Sequence, residues 1–327
     1  MMSFLGDHPI VKTADVWTKL PERFREQATQ TAWAQANRGG EVVDSFLEGP
    51  VFDSTGNLYV TDIPYGRIFK ITPQAQWELI VQYDGEPNGM KWLAEDVLVI
   101  ADYQNGLMQL DLKTRAVSPV LQRRNSESFK GVNDLTFDSR GNLYFTDQGQ
   151  TGLHDPTGRV YRLRPDGQLD LLLDNVPSPN GLVLSPNEQV LYVAATRGNE
   201  VWRAPFMADG SVSKVGRFFS SYGPMGPDGL AMDAGGHLMV ANPGLGCVWR
   251  LNERAEPTEV WQSPAGHALT NLAFAPDKAC AFATESASGA ILKFDTPCSG
   301  ATVHSGLLTT IGHKALTSPN QISEWHK

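Results

Sequence analysis

Short runs of apolar, β-branched and aromatic residues, such as LYVTD, LYFTD and LMVAN, recur along the chain between clusters of Gly, Asn, Asp and Pro. Runs of this kind, bounded by turn formers, predict β-strands. The pattern also repeats. EGPVFDSTGNLYVTD (Glu48 to Asp62) returns as NDLTFDSRGNLYFTD (Asn133 to Asp147) and DGLAMDAGGHLMVAN (Asp228 to Asn242), with weaker copies starting at Asn88, Asn180 and Asn271. Successive copies start from 40 residues (Glu48 to Asn88) to 48 residues (Asn180 to Asp228) apart, a spacing that suits one propeller blade per repeat. Four strands can be read in a unit, in the third as VNDLTFD, NLYFTD, GRVYRLR and LDLLLDN. The Asp-x-x-Gly-Asn link between the first two has hairpin chemistry. The expectation is an all-β, six-bladed propeller with four antiparallel strands per blade.

Residues 1–40 precede the repeats and read as an N-terminal extension. Within it, PERFREQATQTAWAQANRGG has the composition of a short helix ending at Gly39-Gly40. Residues 41–327 read as a single propeller domain with a polar C-terminal tail, because cutting a ring of blades would expose strand edges. The tail beyond Gly306 is assigned no role.

Composition narrows the function. The 327 residues are 41% hydrophobic with 31 Gly and 21 Pro, which excludes a coiled coil or a disordered chain. A net charge of −9, with no basic cluster beyond Arg123-Arg124, argues against nucleic-acid or anionic-membrane partners. Cys247, Cys280 and Cys298 are odd in number and lack CxxC spacing, so they read as reduced thiols of a cytoplasmic protein. There is no signal-peptide pattern and no long apolar stretch at the N-terminus or elsewhere.

In a propeller the first strand of each blade lines the channel, so one repeat position gathers six side chains around the axis. Here those residues are Glu48, Asn88, Asn133, Asn180, Asp228 and Asn271, each with a side-chain oxygen. A single Asn-Gly is adequately explained as a turn. Six in one register, with two carboxylates among them, point instead to a hard cation, Ca²⁺ first, then Mg²⁺ or Mn²⁺, with Zn²⁺ left open. No GxGxxG after a strand, GxxxxGK[ST], GxSxG or HExxH occurs, so nucleotide, serine-hydrolase and zincin chemistry lack their usual carriers. His154 and His267 read as loop residues, and Trp202 and Trp249 as packing between blades.

At these residues the sequence resembles the SMP-30/gluconolactonase family of six-bladed, metal-dependent hydrolases, which includes drug-responsive lactonases and is similar to diisopropyl fluorophosphatase. The carriers are EGPVFD at Glu48, Asn133-Asp134 before Phe137-Asp138, SPNGL at Asn180 and GPDGL at Asp228, within about residues 44 to 300. The resemblance implies Glu48, Asn180 and Asp228 as metal ligands, Asn133 as a fourth ligand or a substrate contact, and Asp228 as general base or nucleophile. It implies hydrolysis of a small-molecule lactone. Asn88 and Asn271 share the same register and read as groups that either support the ligands from behind or face the substrate. Gly131 stands where the animal branch has a sugar-contacting Arg, so the lactone need not be the same. Loops carrying Tyr65, Gln148, His154 and Tyr222 would wall the mouth and select the substrate. Two alternatives use the same site: hydrolysis of phosphotriesters or fluorophosphates, and a non-catalytic propeller whose cation is structural. The oligomeric state is open.

Overall fold

A computed structural model describes residues 8–26 and 30–306. Six antiparallel sheets form the blades of one ring. Their first strands are Leu47–Phe52, Pro87–Ala94, Val132–Phe137, Pro179–Leu184, Leu230–Met232 and Leu269–Phe274. Each touches the first strand of the next blade and the last touches the first, so these six line the channel of a closed propeller. Apolar residues fill the spaces between facing sheets. Phe145, Leu135 and Tyr161 of blade three pack on Val99 and Ala101 of blade two, and Leu47 and Leu58 of blade one on Phe282 and Ile291 of blade six.

Closure uses a part of the chain expected to lie outside the ring. Blade six has only three strands from its own repeat, and Asp15–Lys19 supplies the fourth, antiparallel to Ala290–Asp295. Ile10–Thr13 adds a fifth, parallel strand to blade five. The extension therefore belongs to the propeller. Joining the chain's beginning to its last blade covers an edge that would otherwise carry unpaired backbone groups. The alternation signal of this segment is weak, since both strands are mostly exposed at the ring's rim.

Among the described residues the α-helix of the expected stretch is Ala32–Asn37, with Thr31 Oγ1 accepting from Ala34 N at 3.2 Å. Its Trp33 and Ala34 pack on Phe46 and Ile63, the Trp33 and Phe46 rings lying 4.7 Å apart. Gln150 of blade three donates to Asn37 Oδ1 at 3.0 Å and to the Tyr103 hydroxyl at 2.7 Å. Residues 30–46 thus wall one side of the channel mouth. At the opposite end, residues 299–306 run beneath the ring. Gly300 bridges to Asp233, Ala301 N donates to Met232 O at 2.9 Å and Gly306 N to Trp92 O at 3.2 Å, so the tail crosses from blade five to blade two. The tail beyond Gly306 lies outside the described residues. Among those described, no helix is long and apolar enough to cross a membrane, and the three cysteines are free.

Candidate functional site

The site forms where the first strands begin. Five of them break register at the repeated polar position, for instance between Glu48 and Val51 and between Pro179 and Leu182. A bulge of this kind twists the strand and re-aims a side chain. Glycine follows the polar residue where the strands crowd. A Cβ at Gly49, which has φ +53°, would lie 2.1 Å from Asn88 O, and one at Gly181 would lie 2.4 Å from Asp228 O. Hydroxyls on the second strands and turns clasp the neighbouring blade. Thr61 donates to Asn88 O (2.9 Å), Thr146 to Asn180 O (2.9 Å), Thr196 to Pro227 O (2.7 Å) and Ser286 to Leu47 O (2.6 Å). The backbone at or beside Glu48, Asn88, Asn180 and Asp228 is therefore held by the blade before it as well as its own.

Glu48, Asn88, Asn133, Asn180, Asp228 and Asn271 are all buried. Asn271, however, is one residue out of the expected register. Leu269 pairs with Glu285 as Val132 pairs with Asp147, so Thr270 is the equivalent of Glu48 and Asn133, and Asn271 is the equivalent of Asp134. The hydrogen bonds agree: Asp134 Oδ1 accepts from Leu135 N and Asn271 Oδ1 from Leu272 N, both at 2.8 Å. Thr270 carries a hydroxyl, which kept the side-chain oxygen and hid the slip. Asn271 nonetheless reaches the site, donating from Nδ2 to Glu48 Oε2 at 3.0 Å.

Asp134 is the residue that sequence reasoning passed over, although it stands beside Asn133 in the motif. With Glu48 and Asp228 it makes three buried carboxyl groups near one axis. Burial pushes Glu48 up to about 7, with the Asp134 charge adding, against hydrogen bonds from Gly49 N and Asn271. Asp228 is raised well above the carboxylate range, first by burial and then by the charges of Glu48 and Asp134, while Arg197 opposes the shift. Asp134 is raised by burial, with Lys91 opposing. Such shifts mark groups that favour a counter-charge.

Asn133 Nδ2 donates to Gln148 Oε1, and Gln148 Nε2 donates to Ser178 Oγ, both at 2.9 Å. Gln148 thus orients Asn133, leaving Asn133 Oδ1 buried without a partner. Among the described residues no three His, Cys, Asp or Glu side chains converge as a ligand set. Ligation at the axis would therefore need the amide oxygens of Asn133 and Asn180 beside Glu48 and Asp228. That all-oxygen donor set, with one orphaned amide oxygen, fits a hard divalent cation.

The mouth residues divide. The Tyr65 hydroxyl donates to Val43 O at 2.5 Å, so it ties down the wall formed by residues 30–46. His154 and Tyr222 are exposed on the loops of blades three and four. These loops join strands at the end where the first strands start, so they rim the same opening as the site. His267 is exposed in the loop before blade six.

The closed ring defines a six-bladed β-propeller with oxygen-bearing side chains gathered at its axis. The sequence profile of the SMP-30/Gluconolactonase/LRE-like region matches residues 46–303, and the chain belongs to this family. It is 33% identical over 229 residues to a gluconolactonase of Zymomonas mobilis, a match covering 60% of this chain and 64% of that protein, under two thirds of its length. It is 30% identical over 276 residues to lactonase drp35 of Staphylococcus aureus, covering 79% and 82%. A calcium-binding regucalcin from Agrobacterium tumefaciens shares the fold, with a TM-score of 0.71 at 19% identity over 93% of this chain and 99% of that one.

Proposed function

We propose that this protein is a divalent-cation-dependent hydrolase that opens a lactone ring, with Asp228 as general base. The observation that carries the reading is the placing of Asp228, buried beside Glu48 and Asp134 with the unpartnered Asn133 Oδ1 at the same axis. The gluconolactonase and lactonase relatives support it.

Glu48, Asn133, Asn180 and Asp228 would hold the cation. When bound, it supplies Lewis-acid polarisation of the lactone carbonyl and favours the ionised form of its carboxylates. The chain's own residues supply the rest. Asp228 takes a proton from water as the water oxygen bonds to the carbonyl carbon. It returns that proton to the ring oxygen as the acyl C–O bond breaks, leaving a hydroxy acid. Gln148 holds Asn133 in one orientation, and Asn271 fixes Glu48. Asn88 and Asn271 face the channel that would receive the substrate. A base that also ligates a cation is weak, which suits a strained or activated ester.

The test is a pH-indicator screen of γ- and δ-lactones, a phosphotriester and an aryl ester, against chelated protein reloaded with Ca²⁺, Mg²⁺, Mn²⁺ or Zn²⁺. Lactone opening that is lost on chelation and restored by one cation is expected. Turnover of the phosphotriester alone, no turnover at all, or full activity in the chelated protein would each overturn the reading.

A further inference from the structure

Among the described residues at the channel-mouth end, Arg197 is one of the cations without an ion pair, with Arg123 and Arg124 of the loop before blade three, where Arg124 lies over the Tyr161 ring. Arg25, Arg38, Arg67 and Arg159 are paired with Asp44, Glu41, Asp62 and Glu127, and Lys130 donates to Thr157 Oγ1 at 2.5 Å. Arg197 is exposed and makes no ion pair among the described residues. The repeat sets this turn apart. In the other five blades the second strand ends in a polar residue: Asp62, Asp102, Asp147, Asn242 or Glu285. Blade four ends it in Ala195, so no side-chain oxygen stands at that strand end. At the matching turn position blades one, two, five and six carry Pro64, Gln104, Gly244 and Ala287. Blade four alone among these places a charge there.

The turn is also held firmly against the site. Thr196 N donates to Ser178 O at 3.0 Å, Arg197 N to Pro177 O at 3.3 Å, and Thr196 Oγ1 to Pro227 O at 2.7 Å. These contacts fasten it to the segments that lead into Asn180 and Asp228. On its outer side, a Cβ at Gly152 would lie 3.6 Å from the Arg197 Cβ and 3.2 Å from the His154 ring, so the blade-three loop packs alongside. The Arg197 charge reaches Asp228. In a chain of net charge −9 with three carboxyl groups at the axis, an anionic substrate would be repelled unless a fixed cation received it.

We propose that Arg197 is a specificity-determining residue at the mouth, and that the lactone opened here carries an oxyanion, a carboxylate or a phosphate, which its guanidinium binds. This rests on the lactonase reading. A planar guanidinium suits such a group through two parallel N–H···O bonds.

The probes are γ-butyrolactone, its γ-carboxylated form and a phosphate-bearing δ-lactone, assayed with the Ca²⁺-loaded full chain. Wild type is expected to favour an anionic probe over γ-butyrolactone by roughly 10- to 100-fold in kcat/KM, the worth of one or two charge-assisted hydrogen bonds. The preference should lie in KM and shrink as ionic strength rises. In Arg197→Gln the ratio should fall to about one, and Arg197→Lys should restore part of it. Which anionic probe shows the larger ratio identifies the oxyanion. A ratio near one in the wild type, or a ratio kept in Arg197→Gln while both activities fall together, would overturn the proposal. If no lactone is opened, the lactonase reading fails, and calorimetric binding of the carboxylated lactone decides the anion site. Weaker binding in Arg197→Gln sustains it and equal binding overturns it.

Discussion

Burial places Glu48, Asp134 and Asp228 in an environment that disfavours three charges, and the hydrogen bonds from Asn271 and Gly49 offset only part of that cost. Asp228→Asn keeps the volume and removes the proton acceptor. It should leave the circular dichroism spectrum unchanged while lowering lactone turnover by roughly 10² to 10⁴, the usual worth of general-base catalysis; wild-type turnover in that variant would remove Asp228 from its role. Glu86 offers a separate residue-scale test, since it lies in the loop before Pro87 and burial, with the Asp102 charge, pushes it up to about 7. Its carboxyl holds a proton more tightly folded than unfolded, so its contribution to stability is complete below the unfolded value and is lost as pH rises through about 7. Glu86→Gln should therefore melt above the wild type at pH about 8, with the difference closing near pH 4. A pH-independent difference would point to packing instead.

Among the elements, the strand Asp15–Lys19 carries the closure. Leu20 follows it, 2% exposed against Leu47, Phe69 and Ile291, and Leu20 N donates to Gly289 O at 2.8 Å. Leu20→Ala should cost about 2–5 kcal/mol in denaturant unfolding. Deleting residues 1–20 should do more, exposing the edge of Ala290–Asp295 and giving an aggregating protein, visible by light scattering. A deletion variant that stays monodisperse and melts like the wild type would show that blade six closes without it.

At the scale of the whole molecule the donors come from separate blades, so a cation at the axis would tie the ring together. Titrating chelated protein with Ca²⁺ should raise its melting temperature, with about 2.7 kcal/mol gained when the free ion is 100 times its Kd. Glu48→Gln, with one formal charge fewer among the donors, should need more Ca²⁺ for the same rise. A melting temperature indifferent to Ca²⁺ in the wild type would separate the fold from any cation.

Much of this was legible in the chain because it is local and periodic. Repeats of 40 to 48 residues, strand-forming runs and a ring of oxygen-bearing positions from Glu48 to Asp228 follow from spacing and side-chain chemistry alone, while the choice of Glu48, Asn133, Asn180 and Asp228 among them came from the family resemblance. What needed the tertiary structure is set by contacts between blades. The bulges in the first strands decide that Thr270, not Asn271, stands in register. Closure decides that residues 10–19 are strands of blades five and six. Gln148 binds Asn133 through the loop of its own blade, and the turn carrying Arg197 is fastened to the segments before Asn180 and Asp228. A sequence records each strand's pattern, whereas the partner across the channel is chosen only when the ring closes and every buried polar group must find one.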